Sequence, residues 1–376
     1  MNIVIATDKF KDALPAEQVC RYLKEGIARS FPKARCVALP LADGGEGTLE
    51  ALAKNLGGKF IRVKALDPLF RPVSAKFLWI ESQQTAVVEM ARASGLQWLR
   101  PAERNCVETT TFGTGQLIEA ALKKGAKRIV LTVGGSATND AGMGMAKALG
   151  YSFYDKDRKE LKPVGKNLIH VRYIHKTALP LHKIQFQAVT DATNPLYGKN
   201  GAAFVYAAQK GASESEIEDL DVGLRSMAFV MRECFSKEVS RLPGAGAGGG
   251  MGAGAAVFLN AKIKSASQWI LEICEAGKIL RRADLLITGE GKLDSQTWSG
   301  KLIDGLNKLA ARHHTPVIAV CGTLADAKAL RKQKNILYAV SILNAPMTLE
   351  DALKNTKPLL LEQGELLGEL LKKIKL

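Results

Sequence analysis

Long apolar runs are missing from this 376-residue chain, and none reaches the ~18 residues that a membrane helix requires. The opening run, Met1 to Asp8, is too short for a signal peptide and is followed at once by charges, so a cytoplasmic protein is expected. Cysteine is sparse and scattered: Cys20, Cys36, Cys106, Cys234, Cys274 and Cys321 form no C-x-x-C pair. That argues against a zinc ribbon or a disulfide framework. None of the five histidines lies near a glycine-rich turn, which argues against a histidine nucleophile or metal cluster. No G-x-x-x-x-G-K-[ST] loop, no G-x-S-x-G elbow and no protein-kinase signature set occurs. Acidic residues are also short, 37 against 53 basic, giving a formal charge of +16 and pointing to an anionic partner. The densest basic stretch, residues 156–183, has no regular aromatic interleaving and no nucleic-acid-binding motif. Small metabolic phosphates or a generally basic proteome are the plainer readings of the charge, and nucleic acid is not expected.

What is present is an ordinary globular composition, 47% hydrophobic and 24% charged, over a length that suits two domains. Residues 2–7 read as a buried strand, a helical pattern that Pro15 opens and that ends near Phe31-Pro32 as an amphipathic helix, 37–41 as a strand and 48–56 as a helix. The last hundred residues repeat the alternation, with strands at 284–288, 316–321 and 336–342. A loop is expected to end at Ser299-Gly300, and a final amphipathic helix to fill 358–373. The middle contains two antiparallel strands at 73–80 and 86–90, further strands at 128–133 and 185–190, and one long helix at 214–235. Strands alternating with helices predict parallel sheets. The expected fold is α/β: a Rossmann-like parallel-sheet domain formed by both chain ends (1–64 plus 276–376), with a second α/β domain (65–275) inserted. A cleft between the two is the expected ligand site.

Acidic residues follow several of these strands: Asp8, Asp43, Asp191, Glu290 and, four residues on, Asp294. Open α/β sheets bind ligands beyond the carboxyl ends of their strands. One such Asp is commonly a helix cap. Five together suit magnesium binding or removal of a hydroxyl proton. Glycine-rich turns accompany them at Asp43-Gly44-Gly45-Glu46-Gly47-Thr48 and Gly134-Gly135-Ser136-Ala137-Thr138-Asn139-Asp140. Bare backbone at a helix start suits an anion, although a ligand-free tight turn would look the same. The densest glycine tract, 244–254, runs into a helix-compatible segment and is expected to be a tight functional loop, not a linker. Lys9, Lys11, Lys292 and Lys301 sit beside these turns, where positive charge would serve phosphoryl transfer.

In their order along the chain, these motifs resemble the bacterial two-domain glycerate kinases. The resemblance covers nearly the whole length and rests on Asp8-Lys9-Phe10-Lys11-Asp12-Ala13-Leu14, Asp43-Gly44-Gly45-Glu46-Gly47, Gly134-Gly135-Ser136-Ala137-Thr138-Asn139-Asp140 and Thr190-Asp191-Ala192-Thr193-Asn194-Pro195. It continues through Gln209-Lys210-Gly211-Ala212, the glycine tract and Gly289-Glu290-Gly291-Lys292-Leu293-Asp294. It implies ATP-dependent phosphorylation of D-glycerate with magnesium, giving 2-phosphoglycerate or 3-phosphoglycerate. Lys9 stands where the family usually has serine, and Lys292 where arginine is frequent.

The expected roles follow. Asp191 accepts the hydroxyl proton, and Lys11 neutralises charge on the transferring group. Asp8, Asp43, Glu46, Arg71 and Lys301 contact the substrate. Gly134, Gly135, Ser136, Asn139, Asp140, Gly248, Gly249 and Gly289 hold the ATP phosphates. Glu290 and Asp294 hold magnesium, with Asp43 and Glu46 as alternatives. No nucleic acid or membrane partner is expected, and a homodimer stays open. A dehydrogenase would need glycines after the first strand, which Asp8-Lys9-Phe10-Lys11 lacks. A catalytically silent binding protein on the same fold is the other alternative, and the full set of acids argues against it.

Overall fold

A computed structural model describes residues 1–298 and 300–374, so Ser299 of the expected loop lies outside the described residues. The strands in chain order are β1 (Asn2–Thr7), β2 (Arg35–Ala38), β3 (Lys59–Leu66), β4 (Pro72–Ile80), β5 (Thr85–Glu89), β6 (Arg128–Thr132), β7 (Ser152–Tyr154), β8 (Tyr173–His175), β9 (Gln185–Val189), β10 (Lys262–Lys264), β11 (Leu285–Leu293), β12 (Val317–Leu324) and β13 (Ile336–Ser341). The chain forms two compact units. The first holds Met1–Asp43, Glu50–Leu56 and the chain from Ser267 onward; the second holds Gly44–Leu49 and Gly57–Ala266.

In the first unit five strands lie in the order β13-β12-β11-β1-β2, and every neighbouring pair is parallel. Ile3, Ile5, Leu285, Ile287, Ile318 and Val320 carry one face of this sheet into a core. The helix Ala16–Ser30 covers that face because Val19, Leu23 and Ile27, spaced by one turn, are all fully buried. The helix Thr356–Lys373 adds Leu360 and Leu367 to the same core. Strand ends differ from expectation, and β12 runs on from Cys321 to Leu324. After β2 the extended chain keeps pairing, with Leu39 N–H donating to Ile5 O and Leu41 N–H to Thr7 O. β11 runs five residues past Thr288 despite its glycines, because β12 pairs with it as far as Leu293 and Leu324.

The second unit has a six-stranded sheet, β10-β9-β6-β5-β4-β3. β5, β6, β9 and β10 are parallel, while β3, β4 and β5 form an antiparallel meander. β3 has no counterpart in the sequence reading. It is an edge strand bearing Lys59, Arg62 and Lys64, the composition that protects an edge and hides a strand pattern. The expected boundary at residue 64 falls inside it, although its eight residues pair as one run with β4. The long helix Glu214–Phe235 has the expected bounds. Its capping box joins Ser213 and Glu216, and Leu220, Leu224, Met227 and Met231 form its buried face. No described helix is long and apolar enough to cross a membrane.

Candidate active site

In the first unit the chain leaves β1 toward β2 on one side and β11 toward β12 on the other. The carboxyl ends of β1 and β11 therefore border the place where an open α/β sheet takes its ligand. Asp8 stands one residue past β1, with its backbone N–H bonded to Gly289 O, and is 7% exposed. Glu290 lies within β11 itself, and Asp43 follows the extended run after β2. These three carboxylates line a cavity of about 570 Å³ together with Lys9, Lys11 and Lys292. Burial, followed by the charge of Asp43, pushes the Asp8 carboxyl up to about 8, against the opposing pull of Lys9. Burial also raises Glu290, with Thr297 and the charge of Lys301 pulling it back. Its Oε1 is buried with no hydrogen-bond partner. Asp294 lies 3.4 Å from Lys292 Nζ. Lys301 precedes the helix Leu302–Arg312 as its N-cap residue.

Gly289 has a different origin from the one expected. A Cβ there would lie 1.9 Å from Val320 O, so the bare residue lets β12 pack against β11. It is a glycine of the sheet.

The second unit has its own constellation. Asp191 follows β9, and its Oδ1 accepts a hydrogen bond from Ser265 Oγ at 2.7 Å. Ser265 follows β10, the parallel neighbour of β9, so the sheet itself brings the two together. Gly134 and Gly135 follow β6. The backbone of Gly134 approaches the turn at Gly44-Gly45, two motifs that are ninety residues apart in the chain. Glu46 in that turn is exposed.

The loop after β6 is braced from beneath. Lys210 is fully buried and donates from Nζ to Ser136 Oγ at 2.7 Å and to Thr138 O at 2.8 Å. Burial lowers this lysine to about 8, with the charges of Cys106 and Asp140 opposing. Asp140 is also fully buried. It accepts bonds from Thr111 N–H and Oγ1 and from the N–H groups of Gly142 and Gly144. Burial raises its carboxyl, and those bonds pull it back. A carboxylate so engaged shapes the loop and does not meet a phosphate. Asn139 is buried, with neither amide atom hydrogen-bonded.

The glycine tract also serves packing. Gly248, Gly249 and Gly250 all have left-handed φ at the start of the helix Ala247–Phe258. A Cβ on Gly249 would sit 2.0 Å from Thr138 O, and one on Gly248 2.6 Å from Val133 Cγ1. Gly250 meets Ala141 in the same way, at 2.9 Å, so these residues are bare where the tract packs against residues 133–141. Arg71 is likewise engaged internally. Its Nε donates to Asp67, one terminal nitrogen to Glu103 and the other to Trp98 O. That makes it a brace of the 67–71 turn.

Sequence reasoning missed Ser265 and gave Lys210 no role. A serine after a three-residue strand carries no signal by itself. Gln209-Lys210-Gly211 was visible as a motif, yet only the fold shows its lysine buried under another loop.

Acids and lysines gathered at the ends of parallel strands define the class: an α/β enzyme built for a small anionic reactant. The family model described as glycerate kinase family matches residues 3–372. A glycerate kinase of Bacillus cereus (strain ATCC 10987 / NRS 248) is 40% identical over 94% of this chain and 93% of its own length. A glycerate 2-kinase of Escherichia coli (strain K12) is 38% identical over 94% and 93%. A crystal structure from Salmonella typhimurium LT2, assigned to glycerate kinase 2, superposes with a TM-score of 0.88 at 37% identity, covering 99% of this chain and 98% of that one. The chain belongs to the glycerate kinase family and is a kinase.

Proposed function

We propose that the chain transfers the γ-phosphoryl group of ATP to a hydroxyl of D-glycerate, with 2-phosphoglycerate as the favoured product, in sugar-acid or glyoxylate breakdown. Both reactants are small metabolites, which fits a cytoplasmic enzyme. The observation that carries the reading is the set of three carboxylates and three lysines around one cavity at the strand ends of the first unit. Phosphoryl transfer asks for this mixture, because cations must offset the phosphates while acids hold a metal or a hydroxyl.

The acceptor oxygen forms a bond to the γ-phosphorus as the bond to the β–γ bridging oxygen breaks, and ADP leaves with that electron pair. Asp191 accepts the hydroxyl proton, and Ser265 fixes the orientation of its carboxylate. We assign the anionic oxygens of a reactant to Gly134, Gly135 and Ser136, on the loop that Lys210 braces. Lys9, Lys11 and Lys301 offset negative charge that grows on the transferring group.

The acids fit magnesium. Among the described residues no three His, Cys, Asp or Glu groups form a ready-made cage. Magnesium commonly takes only one or two carboxylates and completes its shell with substrate phosphates and water. Glu290 Oε1 is buried without a hydrogen-bond partner, and burial, then the charge of Asp43, raises the Asp8 carboxyl, so a divalent ion would be favoured beside them. Glu290 and Asp8 would hold it, with Asp294 nearby; when bound, the ion draws charge from the phosphate oxygens.

The test is ADP release from ATP and magnesium with D-glycerate and a panel of other hydroxy acids, with the product position read by phosphorus NMR. D-glycerate is expected to give the highest kcat/KM and a 2-phospho product. A different hydroxy acid leading by tenfold would displace the substrate assignment.

A further inference from the structure

The cavity of the first unit is lined by more than acids and lysines. Six large apolar side chains, Phe10, Ile342, Leu343, Met347, Leu349 and Leu353, share its lining with Thr323, Thr348 and Thr356. The segment after β13 and the helix Leu349–Lys354 supply five of these six. Leu343 and Leu349 are 37% and 76% exposed, so the rim offers large apolar side chains to water. Neither the carboxylates nor the lysines account for this wall. Three-carbon glycerate, charged and hydroxylated, has no apolar part to place against it.

We propose that these apolar residues hold the purine base of the nucleotide donor. The inference rests on the kinase reading and adds to it where the base sits. Three observations converge. The cavity, at about 570 Å³, is of the size that takes a ligand larger than glycerate. Its lining offers large apolar side chains to a flat base and Lys9, Lys11 and Lys292 to a polyanionic tail. It also opens at the carboxyl ends of parallel strands, next to the point where the strand order reverses. In the glycine tract at 244–254, the other candidate for nucleotide contact, Gly248, Gly249 and Gly250 are bare where they pack against residues 133–141.

The first experiment is photolabelling of the full chain with 8-azido-ATP, whose reactive group is on the base. Label is expected on peptides covering residues 342–356 and is expected to be lost when ATP competes. Competable label confined to residues outside this cavity overturns the inference. The second experiment uses Leu343→Ser with Leu349→Asp. Both positions are on the rim, and Asp suits the first turn of a helix. The pair is expected to raise KM for ATP at least tenfold, with KM for D-glycerate changed less than twofold. Inhibition by inorganic tripolyphosphate, which has no base, is expected to change less than twofold. An unchanged KM for ATP overturns the proposal even if the chain proves a good glycerate kinase. Direct ATP binding by equilibrium dialysis separates the two ideas. ATP binding that the variant loses, in a chain inactive on glycerate, supports the base site and sinks only the acceptor assignment.

Discussion

Replacing Lys210 with Met removes a buried ammonium while roughly keeping volume and apolar character. Two bonds disappear, to Ser136 Oγ and Thr138 O. Hydrogen bonds from a charged donor contribute about 1.5–3 kcal/mol each. Against that, burial holds the lysine near 8 instead of 10.5. At 1.36 kcal/mol per pKa unit, keeping the amine charged below pH 8 costs about 3 kcal/mol. The two effects nearly cancel, and a net loss of about 0–3 kcal/mol is expected for the variant at pH 7. Activity should fall much more, because the 134–140 loop loses its brace, and a shift of about 1 Å in a positioning element can cost about a hundredfold. The sign of the pH effect is fixed. Between about 8 and 10.5 the folded lysine is neutral while the unfolded one is charged, so the unfolded state binds more protons. Wild-type stability therefore gains on that of the variant as pH rises through this window, and below it the difference is flat. Urea unfolding at pH 7, 8, 9 and 10, with kcat/KM for both substrates, reads all three quantities. A variant with wild-type kcat/KM and no change in relative stability across the window would refute the bracing argument.

Asp191→Asn should lower kcat by about a hundredfold or more, as loss of a general base does, with ATP binding preserved; turnover near wild type removes Asp191 from that role. Ser265→Ala should cost about tenfold in kcat, the equivalent of one oriented hydrogen bond; no change would show that Asp191 needs no orienting partner. Gly249→Ala places a Cβ 2.0 Å from Thr138 O at a φ of +70°, and should destabilise by about 3 kcal/mol or more. Gly47→Ala, at a φ of +91° with nothing within 4 Å, should cost only about 1 kcal/mol. Equal melting temperatures for the two would mean that packing is not what keeps the tract bare. Arg71→Ala should lower the melting temperature by releasing Asp67 and Glu103, with KM for D-glycerate unchanged. A large rise in that KM would restore Arg71 as a substrate clamp.

Some of this molecule was legible in the chain itself. Strand-then-acid spacing placed Asp8, Asp43 and Asp191 just past strand ends, and β-α alternation marked both chain ends as one parallel sheet. The helix Glu214–Phe235 was bounded correctly because its capping box and apolar spacing are local signals. Local signals failed where glycine had two meanings. Gly248, Gly249 and Gly289 look like ligand glycines in sequence, and only the neighbouring backbone shows that they are bare for packing. The same limit hid the partners of Asp191 and Ser136. Ser265 and Lys210 each stand 74 residues from the group they hold, and no periodicity reaches that far. Strand order set the first contact by laying β10 beside β9, and burial of a charged amine set the second. Sequence thus determined which chemical groups the protein owns and near which strand ends they fall. Tertiary structure decided which of them meet, because sheet order and close packing are set by the whole chain and not by any stretch of it.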